Sequence, residues 1–141
     1  MASGMNRVFD ISPEAAERSL GLIHTEFDWL AARLADGRRW LMGDRITEAD
    51  WRLVPTLFRF DLVYHLHFKC NRARVPDYPN LWAYTRELYQ WETASGGSIA
   101  DTVNFDHIVR HYRFSHETIN PHRIIPINPV INWESPHGRG D

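Results

Sequence analysis

The chain has one cysteine, Cys70, so it offers a single thiol for nucleophilic or redox chemistry. A cysteine reacts as its thiolate, which a helix N-terminus or a neighbouring cation stabilises. Cys70 lies near the C-terminal end of a predicted helix, where the helix dipole disfavours a thiolate, although Lys69 and Arg72 favour one. We expect a buried structural thiol, with a reactive Cys70 as the alternative. A lone cysteine excludes an intramolecular disulfide and a cysteine-rich zinc site, and it is typical of the cytoplasm.

Histidines are the second group that could do chemistry. His107 and His111 are four residues apart on a predicted helix, so both imidazoles could bind one metal ion, and His116 follows closely. The acidic residue of a His-Glu-x-x-His motif is missing, and we predict no metal site. His65 and His67 point to different sides of a helix and are predicted to be surface or capping residues.

Asp50 and Asp106 are candidates for an acid/base pair, but local structure explains each of them better. Thr47 and Asp50 have the spacing of a capping box, in which each side chain bonds the other residue's backbone N–H, and Ile46 and Trp51 occupy the positions of a hydrophobic staple. Asp106 suits the first turn of a later helix. We therefore predict no catalytic residue in this chain.

Two long helices come first in the chain. Ser12 and Pro13 form a start signal, and Gly37 is a left-handed stop. The second helix is predicted from Glu48 to about Phe68, with a bend at Pro55 because proline lacks a backbone donor. In the first helix, apolar residues recur at spacings of three and four, namely Ala16, Leu20, Ile23, Phe27, Leu30 and Leu34.

The rest of the chain is predicted to hold shorter helices and an irregular tail. A third helix is expected over about residues 79–92, and one or two short helices between Asp101 and Tyr112. Residues 120–141 hold four of the eight prolines, so we predict an irregular tail. Its apolar residues predict that it wraps the helices, namely Ile124, Ile125, Ile127, Val130, Ile131 and Trp133. No strand pattern is present, and the predicted fold class is all-α.

Charge and hydropathy exclude two classes of partner. The formal net charge is −2, and the sixteen basic residues are scattered among eighteen acidic ones. Only Lys69, Arg72 and Arg74 cluster, so no nucleic acid is expected as a partner. No run approaches the roughly 20 apolar residues of a membrane span, and Met1 to Arg7 lack a signal peptide. We therefore predict a cytoplasmic protein without a membrane partner.

Several blocks of sequence resemble the C-terminal domain of the Xi-class glutathione transferases, also called glutathionyl-hydroquinone reductases. The resemblance covers about residue 9 to the end. It is carried by Gly43 to Leu53, Arg59-Phe60-Asp61, Val63-Tyr64, His67 to Asn71, Asp77 to Leu81, Thr102 to Ile108, His111-Tyr112, Ser115 to Pro121 and Pro136 to Arg139. It implies a glutathione-transferase helical bundle over residues 9–119, preceded by a disordered or residual segment 1–8 and followed by a wrapping tail, 120–141.

The resemblance also implies a chemistry. Members of this family carry a thioredoxin-like domain with a Cys-Pro-Trp motif, which does not occur in this sequence. Its cysteine attacks the glutathionyl sulfur of a glutathionyl-hydroquinone, and a second glutathione regenerates the enzyme. Tyr64 and Tyr112 match tyrosines that line the hydroquinone side of the pocket. A further pocket tyrosine is expected where this chain has Gly4 to Arg7.

Two functions remain open. The first is the C-terminal domain of a glutathionyl-hydroquinone reductase, which uses glutathione as co-substrate only with a complementary thioredoxin-like half. The second is a non-catalytic module that binds aromatic ligands or a protein through an exposed apolar patch. The family's mode of assembly implies a homodimer in either case.

Overall fold

The structure of the chain is a computed structural model that describes residues 13–140. Those residues hold no strand, and the predicted all-α fold is confirmed. No helix among them is long and apolar enough to cross a membrane. Several predicted features lie outside the described residues and side chains, namely the segment 1–8, the Ser12 cap and the side chains of Ala16 and Leu20. The described residues form four α-helices, α1 (Pro13–Arg33), α2 (Glu48–Arg59), α3 (Pro79–Tyr89) and α4 (Phe105–Ser115).

The core is built around α3, which packs against α1 and α2. Leu81, Tyr84 and Leu88 of α3 are fully buried, and each contributes roughly 1.5–3 kcal/mol by leaving water. The predicted apolar stripe of α1 is buried through its described members, Ile23, Phe27, Leu30 and Leu34. A 3₁₀ turn, Leu34–Asp36, continues α1, and Gly37 ends it at φ +95°, as predicted.

Asp50 connects the start of α2 to two other parts of the bundle. Its Oδ2 accepts hydrogen bonds from the Thr47 backbone N–H at 2.8 Å and the Thr47 hydroxyl at 3.0 Å, and the predicted capping box is present. Its Oδ1 accepts bonds from the Leu41 N–H at 2.9 Å and the Tyr84 hydroxyl at 2.8 Å. Asp50 is fully buried, so this carboxylate fixes α2 against α3 and the preceding loop.

The prediction that α2 continues to Phe68 was wrong. The α-helical ladder ends at Arg59, and a π-helical segment, Phe60–Tyr64, follows, in which the His65 N–H bonds the Phe60 carbonyl at 2.8 Å. A turn then closes when the Cys70 N–H bonds the Tyr64 carbonyl at 2.9 Å. Apolar spacing cannot distinguish α from π hydrogen bonding, because both place residues a few positions apart on one face.

Residues 120–140 of the tail have no regular secondary structure, and the tail contacts the bundle near its end. Gln90, the C-cap of α3, donates to the carbonyls of Trp133 and Ser135 at 2.7 and 2.8 Å. Ile127 is 100% exposed and Val130 is 99% exposed. These two of the six apolar tail residues therefore do not hold the tail to the helices. Trp133 does, because its ring packs on those of Phe58, Trp82, Tyr89 and Phe105.

Candidate aromatic binding site

Tyr64 and Tyr112 both contact the ring of Phe68. Tyr64 ends the π segment, and its ring meets that of Phe68 edge-on, with centroids 5.6 Å apart. The ring of Tyr112, on α4, also meets that of Phe68 edge-on, with centroids 5.9 Å apart and an angle of 90°. Both tyrosines are half-buried, and Tyr64 stacks on buried Phe60 at 5.7 Å. The fold thus brings together two phenols that are 48 residues apart in sequence.

Burial raises the pKa of Tyr64, and the nearby Tyr112 hydroxyl raises it further. A hydrogen bond with Thr56 and the charge of Arg59 act in the opposite direction. Tyr64 keeps its proton at neutral pH, as an ordinary tyrosine does. Its hydroxyl can therefore donate a hydrogen bond to a phenol or phenolate oxygen.

A pair of histidines packs on the same cluster. The Nε2 of His67 and the Nδ1 of His116 are 3.0 Å apart, and the two rings stack. Burial lowers the pKa of His67 to about 4, with help from Arg113 and His116. Burial also lowers the pKa of His116, so both rings are neutral at pH 7.

The prediction that His67 is a surface or capping residue was wrong. His67 is buried, because the chain has already left the helix and turns inward at this point. His107 and His111 are exposed on α4. Within residues 13–140, no three His, Cys, Asp or Glu side chains are grouped so that they could hold a metal ion.

Cys70 is fully buried, as expected, and burial raises the pKa of its thiol to about 11. Its Sγ lies 3.8 Å from the carbonyl of Phe68. Arg72 is engaged elsewhere, since its Nη2 donates to Asp28 at 2.7 Å and lies 3.2 Å from the Tyr78 hydroxyl. The thiolate is therefore disfavoured at this position.

Asp50 and Asp106 do not form an acid/base pair. Asp50 is occupied by its four hydrogen bonds, whereas Asp106 is exposed and pairs with Arg110 at 2.8 Å. As predicted, Asp106 stands in the first turn of α4. Asn104 caps that helix by accepting from the His107 N–H at 3.0 Å.

Concave regions also lie outside the tyrosine cluster, and two of them are relevant here. We call the first the α2–α4 cavity; its volume is about 340 Å³, and it is lined by Val54, Pro55, Phe58, Arg59, Ile99, Thr102, Val103, Asn104, His107 and Ile108. The second, the α1–α2 groove, has about 350 Å³ and is lined by Glu26, Trp29, Leu30, Leu41, Ala49, Arg52 and Leu53. Neither includes Tyr64 or Tyr112.

Comparison with known proteins identifies the family. The model of the family described as "Glutathione S-transferase, C-terminal domain" matches residues 13–87. The chain is 46% identical over 122 residues to the glutathionyl-hydroquinone reductase PcpF of Sphingobium chlorophenolicum, covering 86% of this chain and 37% of that protein. It is 45% identical over 131 residues to the glutathionyl-hydroquinone reductase YqjG of Escherichia coli, covering 93% of this chain and 38% of that protein. The chain thus spans about two fifths of the length of these relatives.

Solved structures of glutathione transferases contain a domain with the same fold as this chain. The glutathione-bound structure of YqjG from Escherichia coli superposes with a TM-score of 0.88 at 44% identity, over 96% of this chain and 43% of that one. A Xi-class glutathione transferase from Natrialba magadii superposes with a TM-score of 0.88 at 41% identity, over 98% of this chain and 41% of that one.

Proposed function

Because the chain belongs to the glutathione S-transferase C-terminal domain family, we propose that it forms the hydroquinone-binding side of a glutathionyl-hydroquinone reductase. The observation that carries this proposal is the 45% identity to such a reductase over 93% of the chain. The reaction removes glutathione from a glutathionyl-hydroquinone. A cysteine thiolate takes the glutathionyl sulfur as a mixed disulfide, the ring carbon gains a proton, and a second glutathione then releases the cysteine as oxidised glutathione forms.

Tyr64 and Tyr112 bind the hydroquinone in this proposal. Their rings supply apolar surface for an aromatic substrate, and their hydroxyls supply hydrogen bonds to quinol oxygens. A donor placed at an oxygen that gains negative charge stabilises it more as the reaction proceeds. The Tyr64 hydroxyl is protonated at neutral pH and is therefore available as a donor.

The reacting thiolate comes from outside this chain, since Cys70 is buried and its pKa is raised to about 11. A thioredoxin-like domain supplies the thiolate and most of the glutathione contacts, and glutathione acts as co-substrate only when that domain is present. We therefore propose a reducing cytoplasm as the location of the protein.

Substitution of the two tyrosines tests the binding role. Tyr64→Phe and Tyr112→Phe each remove one hydroxyl, and we expect each to weaken binding of 1,4-hydroquinone by about threefold to tenfold, the value of one hydrogen bond. The melting temperature should stay nearly unchanged. Tyr78→Phe is the matched control, because the Tyr78 hydroxyl bonds Asp28 at 3.0 Å, away from the cluster. Unchanged binding together with a large loss of stability would make both tyrosines core residues.

Mixing experiments test whether a separate thioredoxin-like domain supplies the thiolate while this chain binds the substrate. The chain alone should not turn over a glutathionyl-hydroquinone, and addition of a separately produced thioredoxin-like domain should restore glutathione-dependent turnover. Cys70→Ala should leave the restored rate unchanged. Turnover by the chain alone that disappears in Cys70→Ala would refute the proposal. Binding of aromatic ligands without restored turnover would instead favour a non-catalytic binding module.

We also propose that the chain forms a homodimer through its helices. Sedimentation velocity at low micromolar concentration should then show a dimer. A monomer alone under these conditions would exclude self-association at that concentration.

A further inference from the structure

The α2–α4 cavity combines an apolar interior with a cation at its edge. Six of its lining side chains are apolar: Val54, Pro55, Phe58, Ile99, Val103 and Ile108. Its volume of about 340 Å³ lies at the small end of the range of about 300–1,000 Å³ that is usual for ligand pockets. An apolar cavity with few polar groups is the usual setting for a small organic ligand.

Arg59 is the charged group of this cavity, and its charge is not neutralised locally. Its Nη1 donates to the Pro55 carbonyl at 3.0 Å, a bond that folds the side chain back along α2. Among residues 13–140, no carboxylate forms an ion pair with Arg59. A guanidinium has five N–H donors and favours planar oxyanions, so most of its capacity is available to a ligand.

The N-terminus of α4 also borders the cavity. The N-cap Asn104 and His107 of the first turn both line it. The dipole of this 11-residue helix favours an anion at this end, although the His107 N–H is already bonded to the Asn104 side chain at 3.0 Å. Asp106 in the same turn does not line the cavity, and its charge is paired with Arg110.

We propose that the α2–α4 cavity binds a small aromatic carboxylate, with the ring against Phe58, Val103 and Ile108 and the carboxylate on Arg59. This site is separate from the Tyr64–Tyr112 cluster. It does not depend on the proposed function, because it needs neither glutathione nor a hydroquinone. The two sites are neighbours, since the charge of Arg59 reaches the Tyr64 hydroxyl.

Binding of naphthalene-2-carboxylate and of its neutral isostere, naphthalene-2-carboxamide, tests the site on the intact chain by methyl NMR. We expect the carboxylate to bind about tenfold more tightly, because only it gains a charge-assisted hydrogen bond. The shifted methyl groups should be those of Val54, Ile99, Val103 and Ile108. Those of Leu30, Leu41 and Leu53 in the α1–α2 groove should not move.

Variants of Arg59 then separate the charge effect from general apolar binding. Arg59→Gln should lower carboxylate affinity about tenfold, Arg59→Lys should restore part of it, and amide affinity should not change in either variant. The matched control is Arg52→Gln on the same helix, where Arg52 is exposed and paired with Glu48 at 2.7 Å. Equal affinity for the two probes, shifts centred on the α1–α2 groove, or no effect of Arg59→Gln would each overturn the proposal.

Discussion

The buried thiol of Cys70 is chemically distinct from a catalytic cysteine. Burial raises its pKa to about 11, so its thiolate is scarce at neutral pH and solvent does not reach it. We predict that iodoacetamide at pH 8 labels the native chain at least about a hundredfold more slowly than the chain in urea. Mass spectrometry of timed samples measures both rates. Comparable rates would mean that Cys70 is open to reagents in the folded state.

Asp61 is a buried carboxyl group that lowers stability near neutral pH. Its Oδ1 accepts the Val75 N–H at 2.9 Å, but burial outweighs that bond and raises its pKa to about 6. Since the folded pKa lies above the ordinary value of 3.8 for an aspartate, the folded state binds the proton more tightly. The stabilising contribution of the protonated group is therefore complete below pH 3.8 and is lost as pH rises through about 6.

Asp61→Asn should remove this pH dependence, because the amide oxygen can still accept the Val75 N–H without carrying a charge. We expect the variant to be more stable than the parent by about 1–3 kcal/mol at pH 7.5 and to show little difference near pH 4. Urea unfolding at the two pH values measures this. Asp106→Asn is the control, since Asp106 is exposed and should give no such gain at pH 7.5. A destabilised Asp61→Asn at pH 7.5 would show that the charge is needed.

Individual residues differ in how well sequence predicts their place. Tyr64 and Tyr112 were singled out by motif, and the fold places both on Phe68. His67 was misplaced, because its neighbour His116 is 49 residues away and no local spacing indicates that contact. Contacts between polar groups far apart in sequence have no local sequence pattern and cannot be predicted from a single sequence. Capping residues such as Asp50 bond the backbone of nearby residues, so their spacing identifies them.

Among the helices, α2 depends most on a single side chain. Asp50→Ala would remove all four hydrogen bonds of the carboxylate and leave the buried Tyr84 hydroxyl and Leu41 N–H without their acceptor. We expect a loss of about 3–5 kcal/mol in the free energy of unfolding, since each unsatisfied buried group costs about 1–3 kcal/mol. Chemical denaturation measures it. Asp106→Ala, at the equivalent first turn of α4, should cost less than about 1 kcal/mol. Equal costs for the two variants would contradict the connecting role of Asp50.

Helix positions were predicted well, and helix ends less so. The starts of α2 and α3 and the stop of α1 follow from capping and turn residues that act locally. The end of α2 was missed because apolar spacing does not reveal the π segment, in which Asp61 accepts from the Val75 backbone N–H, 14 residues away. The candidate aromatic binding site lies just after the end of α2, the boundary that the sequence did not predict. Tyr64 ends the π segment there, and Cys70 closes the turn that follows.

On the scale of the whole molecule, the tail is held by a few specific contacts. Arg139 donates to Glu87 at 2.7 Å and to the Arg39 carbonyl, and Glu87 also pairs with Arg39 at 2.6 Å. Glu87 is buried, so these two cations compensate for the cost of desolvating its charge. Composition alone indicated an apolar tail, but it could not distinguish the anchoring Trp133 from the exposed Ile127.

Trp133→Ala should loosen the tail and destabilise the bundle together. Trp133 fills a site between four aromatic rings, and its carbonyl accepts from Gln90. We expect a loss of about 3–5 kcal/mol, typical of a large core residue cut to alanine. Amide exchange over residues 131–139 should also become faster than in the rest of the chain. Ile127→Ala is the matched control and should change stability by less than about 0.5 kcal/mol, because that side chain contacts solvent. If both variants behaved alike, Trp133 would not be the residue that attaches the tail to the helices.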